Sequence, residues 1–97
     1  MQTGLYLVER YLPGASGDDI AAAAERVAAA SERMTAEGIS VRYLGTTFIP
    51  ADETCFCEFE APTQETVEWA NERANVPFAR IVLAARFSTR QARRRSP

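Results

Sequence analysis

The short segment TCFCEFEAP, residues 54–62, carries two cysteines spaced two residues apart, followed by two glutamates with the same spacing. Thiols and carboxylates can bind metals or take part in catalysis. Cys55 and Cys57 would lie on one face of a strand, with Cα atoms roughly 6.5–7 Å apart. That separation is at the limit for a disulfide, and the spacing is not the C-x-x-C of thiol redox proteins. Two thiolates can form half of a zinc site, with a partner chain supplying the rest. We expect instead that both cysteines pack in the core beside Phe59, with a zinc half-site or a reactive thiol as alternatives.

Glu58 and Glu60 would lie on the opposite face of the same strand, together with Phe56. Two carboxylates on one face can bind a hard cation, or can act as an acid and a base. The more frequent outcome is a set of ion pairs with arginine, for which the candidates are Arg10, Arg42 and Arg86. In a partly desolvated interior the pKa of a carboxylate can rise enough for function. As metal ligands, Glu58, Glu60 and Cys57 are only weak candidates.

The chain contains no histidine. Its absence removes Ser-His and Cys-His nucleophiles, imidazole bases and the commonest metal ligand. We therefore assign no catalytic residue, and an acid or base would have to be a carboxylate or Tyr43.

The pattern of apolar residues predicts the elements that position these side chains. Strand-forming segments bounded by turn residues occupy 5–12, 39–49, 54–61 and 79–87. One helix begins at the cap Ser16, with Asp19 three residues later, and ends before Gly38; a second is capped by Thr63 and ends at Asn75. Gly45 suggests a bulge or bend in the second strand. Strict alternation would place Thr46 and Phe48 on the face of Arg42 in that strand.

The order β-α-β-β-α-β predicts an α+β, ferredoxin-like fold: a four-stranded antiparallel sheet in the order 4-1-3-2, with two helices on one face. Residues 1–88 form the domain. Residues 89–97 form a basic tail, which we expect to be disordered.

The predicted strands carry apolar residues on both faces, so the sheet face without helices should be covered. A second copy is the simplest cover, giving a homodimeric α/β barrel with a pocket between the sheets. Glu9 and Arg10 are neighbours, so only one can face that pocket, and the sequence does not say which. The candidate ligand-binding residues are Glu9, Arg10, Arg42, Tyr43, Glu58 and Glu60.

Charge and hydropathy exclude several classes of partner. The net charge of −2 becomes −6 without the four arginines of the last eight residues, so the body is acidic and nucleic acid is not expected as a partner. No segment is long and apolar enough for a membrane span, and the N-terminus lacks the features of a secretory signal. A cytoplasmic location is the expectation.

Three segments, LYLVERYLPG, VRYLGTTFIPADETCFCEFEAP and NVPFARI, resemble a family of small bacterial proteins, some of them described as nickel-binding or nickel-responsive. The resemblance extends to about Phe87. It aligns residues 57–62 with the family's C-x-x-E-A-P and residues 75–77 with its Gly-x-Pro turn. It implies a ferredoxin-like fold that dimerises.

The sequence departs from the nickel-binding members at one position. They often carry a histidine on the second helix, four residues before the turn, where this chain has Asn71. Nickel(II) favours imidazole nitrogen and is poorly held by carboxylates alone. We therefore expect this chain to share the fold of the family but not its nickel site.

Three functions fit these observations. The first is a non-catalytic, homodimeric protein that binds a small ligand or responds to a metal. The second is a cofactor-free dimeric α/β-barrel enzyme, an oxygenase or isomerase acting on a small organic substrate. The third is a structural interaction module.

Overall fold

The computed structural model describes residues 2–89. The elements follow the predicted order: β1 (Gly4–Tyr11), α1 (Gly17–Ala36), β2 (Arg42–Ile49), β3 (Thr54–Ala61), α2 (Gln64–Arg73) and β4 (Arg80–Ala84). A short 3-10 turn, Pro50–Asp52, joins β2 to β3. The predicted α+β, ferredoxin-like class is confirmed. The prediction for the basic tail lies outside the described residues, apart from Thr89.

The four strands form one open antiparallel sheet in the order β2-β3-β1-β4, which is the predicted 4-1-3-2 order read from the other edge. β1 and β3 lie in the middle, and Val8 of β1 is level with Cys57 of β3 on one side and Ile81 of β4 on the other. Because α1 and α2 connect strands that are not neighbours, both helices cross the same side of the sheet. The core therefore lies between the helices and that side.

Local signals set the ends of both helices. Ser16 Oγ accepts the backbone N–H of Asp19, and the Asp19 carboxylate accepts the N–H of Ser16, which completes the capping box. Gly38 (φ 90°) follows α1 and Asn75 (φ 56°) follows α2, both in the left-handed region that ends a helix. These caps confirm the predicted helix boundaries to within a few residues.

The core is made by the helix stripes and by alternate residues of β1, β3 and β4. Val27 and Met34 of α1 and Val67 of α2 are fully buried against Val8 and Phe59 of the sheet. Cys55 and Cys57 belong to the same cluster, each 2% exposed. The expectation that the two thiols lie in the core is confirmed.

β2 departs from strict alternation at one residue. Tyr43 is level with Phe59 and Gly45 with Glu58, so Leu44 is an extra residue that bulges from the ladder. The bulge reverses the facing of every later residue in β2. Thr46 and Phe48, which alternation would place with Arg42, are instead level with Cys57 and Cys55 on the helix side. Their predicted facing was therefore wrong, because the bulge that Gly45 suggested also changes the parity of the strand.

Candidate functional site

The side of the sheet that carries no helix is the candidate site, and we call it the open face. By register it displays these residues: Leu5, Leu7, Glu9 and Tyr11 of β1; Arg42, Thr47 and Ile49 of β2; Thr54, Phe56, Glu58 and Glu60 of β3; and Arg80, Val82 and Ala84 of β4. Most of these residues are only partly exposed. Apolar side chains of the two middle strands form its centre.

Three ion pairs lie on the open face. Arg80 Nε lies 2.6 Å from Glu9 Oε1, and Arg42 Nε lies 4.0 Å from Glu60 Oε1. Arg86, which follows β4, donates a hydrogen bond to Glu58. Of the three candidate arginines, Arg86 and Arg42 do pair with Glu58 and Glu60, whereas Arg10 does not.

The carboxylates of these pairs lie deeper than the guanidinium groups. The side chains of Glu9 and Glu58 are 30% and 29% exposed, whereas those of Arg80 and Arg86 are 67% and 60% exposed. Glu58 is level with Leu7, and Glu9 with Phe56, so each carboxylate stands beside an apolar neighbour. The arginines reach over the sheet from its edge. A ligand that lies on the apolar side chains could therefore donate a hydrogen bond to a glutamate carboxylate or accept one from an arginine guanidinium.

Four of the six predicted ligand-binding residues share this face: Glu9, Arg42, Glu58 and Glu60. The other two, Arg10 and Tyr43, lie on the helix side, as does Cys57. Alternation in β1 decides the question that the sequence left open, since Glu9 faces outward and Arg10 therefore faces the helices. Cys57 cannot join Glu58 or Glu60 in one metal site within a chain, because the sheet separates them.

Arg10 is 1% exposed, and its guanidinium donates to Asn71 Oδ1 and to the carbonyl oxygens of Val76 and Pro77. Asn71 is fully buried as well, and its amide donates to the Val67 carbonyl at 2.7 Å. Sequence reasoning missed this contact. The signal available was a polar residue, Asn71, at a position in the apolar stripe of α2.

Tyr43 lies half-buried with its ring edge against Phe59, the ring centroids being 5.6 Å apart. Its hydroxyl shares a hydrogen bond of 2.5 Å with Thr46 Oγ1, which in turn lies 3.1 Å from Cys57 Sγ. Burial raises the pKa of Tyr43. The hydroxyl is therefore neutral at physiological pH and is engaged by Thr46 at the edge of the core.

Burial, followed by the neighbouring Cys57 thiol, raises the pKa of Cys55 from 9.0 to about 11. A thiol acts as nucleophile or metal ligand in its ionised form, so this shift works against both roles for Cys55. Among residues 2–89, no three histidine, cysteine, aspartate or glutamate side chains are arranged to hold a metal ion.

Concave surfaces occur on the helix side as well. One is an open groove of about 910 Å³ at the C-terminal end of α2, lined by residues including Glu68, Asn71, Glu72 and Phe78. Another, of about 370 Å³, lies between α1 and β2 and includes Thr35, Val41 and Tyr43. No helix of the described chain is long and apolar enough to cross a membrane.

Comparison with known proteins relates the chain to one named group. Residues 6–83 match the family model described as nickel-responsive protein, SCO4226-like. The crystal structure of SCO4226 from Streptomyces coelicolor A3(2) superposes with a TM-score of 0.73 at 20% sequence identity, covering 87% of this chain and 99% of that one. At this identity the superposition shows a shared fold alone. No curated protein sequence matches the chain. Since the family model covers most of its length, the chain belongs to the family of SCO4226-like nickel-responsive proteins.

Proposed function

We propose that the chain is a cytoplasmic homodimer that binds a small organic ligand in a pocket between the open faces of its two copies. The observation that carries the proposal is the open face itself, an apolar centre of Leu5, Leu7, Phe56 and Val82 bordered by three ion pairs. Monomeric proteins rarely leave so continuous an apolar surface uncovered.

Charge supports a second copy as the cover. The open face carries as many arginines as glutamates in its ion pairs, whereas the chain without its four tail arginines has a net charge of −6. A neutral face on an acidic body can meet its own copy with less repulsion than any other side of the molecule. A two-fold arrangement also makes each arginine available to a glutamate of the partner.

Small residues support a pocket within such an interface. Sheets that pack face to face lie about 10 Å apart, a gap that large side chains fill. Gly45, Thr47 and Ala84 have little to contribute, so space would remain above them. Glu9 and Glu58, the less exposed carboxylates, would line that space. The ligand that fits has an apolar body and a polar group that pairs with a carboxylate or a guanidinium.

The family's description raises nickel as a second ligand for this chain, and the side chains present do not fit it. The chain has no histidine, and the described residues hold no three-residue cluster of metal-ligating side chains. Asn71 is fully buried and its amide is engaged on both atoms by Arg10 and Val67. Carboxylates paired with arginine are weak ligands for nickel(II), which prefers imidazole nitrogen. The proposal is therefore a small organic ligand.

Native mass spectrometry of the untagged protein, combined with metal analysis, tests both parts. The expected species is a dimer that carries a small organic adduct, released on denaturation, and that gains no nickel from added nickel chloride. An untagged chain is essential because a polyhistidine tag itself binds nickel. A monomer would contradict the proposed dimer. A dimer that retains stoichiometric nickel would show that the ligand is the metal and not an organic molecule.

A cavity-filling variant tests the pocket with anilinonaphthalene sulfonate, a fluorescent probe of apolar cavities. Leu7→Trp places a large ring at the centre of the open face, whereas Leu83→Trp places the same ring on the helix side of β4, where Leu83 is 69% exposed. We expect the dimer of the first variant to lose most of the probe fluorescence, and the second to keep it. Equal fluorescence in both variants and the original chain would contradict a pocket between the open faces.

A further inference from the structure

Among residues 2–89, Arg10 is the largest side chain that is fully buried. It lies on the middle strand β1, faces the helices and is 1% exposed. Arginine is rarely buried to this extent without a charged partner.

Three oxygen atoms converge on the guanidinium. Nη1 lies 3.5 Å from the carbonyl oxygen of Val76 and 3.1 Å from that of Pro77, and Nη2 donates to Asn71 Oδ1. All three acceptors are neutral. Within residues 2–89 no carboxylate lies within ion-pair distance of Arg10, since the ion pairs found there join other residues. The positive charge is thus balanced by dipoles.

The backbone after α2 is shaped to present these oxygens. Asn75 adopts φ 56°, which reverses the chain after the helix, and the N–H of Val76 bonds to the Asn71 carbonyl at 3.1 Å. The carbonyls of Val76 and Pro77 then point to β1 beside the C-terminal end of α2, where the helix dipole is negative. Carbonyl and amide oxygens converging at the end of a helix form a site suited to a cation.

We infer that the guanidinium of Arg10 is the resident cation of this site, and that the folded state does not depend on nickel although the family is nickel-responsive. The oxygens of Asn71, Val76 and Pro77 are thus occupied by a positive charge that belongs to the chain itself. That charge lies next to Asn71, Val76 and Pro77, which line the groove of about 910 Å³. Two glutamates of α2 also line this groove, but a second cation at the three oxygens themselves would meet the repulsion of Arg10 at short range. This inference is independent of the pocket proposed for the open face.

The competing account is that Arg10 only fills volume. The two accounts differ for an apolar substitution, since replacing a buried ion by a well-packed hydrophobic residue is often neutral or stabilising. If the cation is required, an apolar side chain leaves the buried oxygens of Asn71 and Val76 and the partly buried carbonyl of Pro77 without this donor, which is destabilising. Lysine, with three N–H donors and a positive charge, satisfies part of the cluster.

Thermal unfolding of Arg10→Lys and Arg10→Met separates the accounts. We expect the melting temperature to fall in the order original chain, Arg10→Lys, Arg10→Met, with a loss of about 10 °C or more for the methionine variant. Arg26→Lys and Arg26→Met are the matched controls, because Arg26 is exposed on α1 and belongs neither to the Arg10 cluster nor to the open face; each should shift the melting temperature by less than about 3 °C. A methionine variant as stable as the lysine variant would overturn the cation role.

Two further measurements keep the test decisive if Arg10→Met does not fold. Arg10→Ala should regain part of its lost melting temperature in millimolar methylguanidinium, which can occupy the vacated site, while Arg26→Ala should not respond. The original chain should melt at the same temperature with nickel chloride as with EDTA. A rise of several degrees in nickel, or the absence of any methylguanidinium response specific to Arg10→Ala, would contradict the inference.

Discussion

Neighbouring residues of one strand have opposite roles in this molecule because they face opposite sides of the sheet. Cys55 and Cys57 point to the helices and are buried, while Glu58 points to the open face and pairs with Arg86. The same alternation in β1 sends Arg10 inward and Glu9 outward. Which residues are available to a ligand thus depends on parity along a strand as well as on residue type.

The buried thiol of Cys55 predicts a loss of stability at alkaline pH. Its pKa is about 11 in the folded chain against an ordinary value of 9.0. Below pH 9 both states hold the proton; between these values the unfolded chain releases it and the folded chain does not. The free energy of unfolding should therefore fall as pH rises, by at most about 1.4 kcal/mol per pH unit for this group. Urea unfolding from pH 8 to 11 measures the slope.

Cys55→Ala provides the control for this prediction. The variant should show a shallower decline between pH 9 and 11, because it lacks the group that titrates differently in the two states. A residual decline is expected from Tyr43, whose pKa burial also raises. Identical pH profiles for the variant and the original chain would show that Cys55 does not cause the slope.

At the level of elements, the bulge at Leu44 determines which residues of β2 enter the core. Before it, Tyr43 faces the helices; after it, Thr46 and Phe48 do so as well. Tyr43 and Phe48 are five residues apart, so in a regular strand they would face opposite sides of the sheet. The extra residue allows both to face the core. The bulge therefore contributes to packing at the edge of the sheet.

Single-residue deletions test the bulge. Removing Leu44 leaves Tyr43 level with Phe59 and Gly45 level with Glu58, so the ladder can close and the chain should fold, with a melting temperature lower by a few degrees. Removing Thr47, which is level with Phe56, forces one half of β2 onto the wrong face. We expect that deletion to lower the melting temperature by more than about 10 °C or to prevent folding. Circular dichroism melts that rank the two deletions in reverse would contradict the assigned register.

For the whole molecule, the proposed dimer predicts a clear difference between two leucine substitutions. Leu7→Glu places a charge at the centre of the open face, level with Glu58 and Val82. Because the dimer would have to bury this charge without a partner, the variant should be a folded monomer. Leu83→Glu places the same charge on the exposed helix side of β4 and should leave the dimer intact. Sedimentation velocity at micromolar concentration distinguishes the two. If only Leu83→Glu dissociates the dimer, the interface lies at the β4 edge of the sheet and not on the open face.

Much of the fold was determined by local features of the sequence. Ser16 with Asp19 and the residues Gly38 and Asn75 mark the helix ends, since capping and left-handed backbone depend on near neighbours. The order of the elements and the handedness of crossover connections then give the strand order. The burial of Cys55 and the pairing of Glu58 with arginine also followed from alternation and charge.

Tertiary structure decided what depends on absolute facing and on contacts distant in sequence. Alternation groups residues into two sets, but only the packed helices determine which set is inside, so the sequence left Glu9 and Arg10 undecided. The bulge at Leu44 changes parity at a point that residue types indicate only through Gly45. The cluster around Arg10 joins residues more than 60 positions apart and consists largely of backbone carbonyls, which every sequence contains. Its existence depends on how the chain turns after α2, and only the folded structure shows that turn.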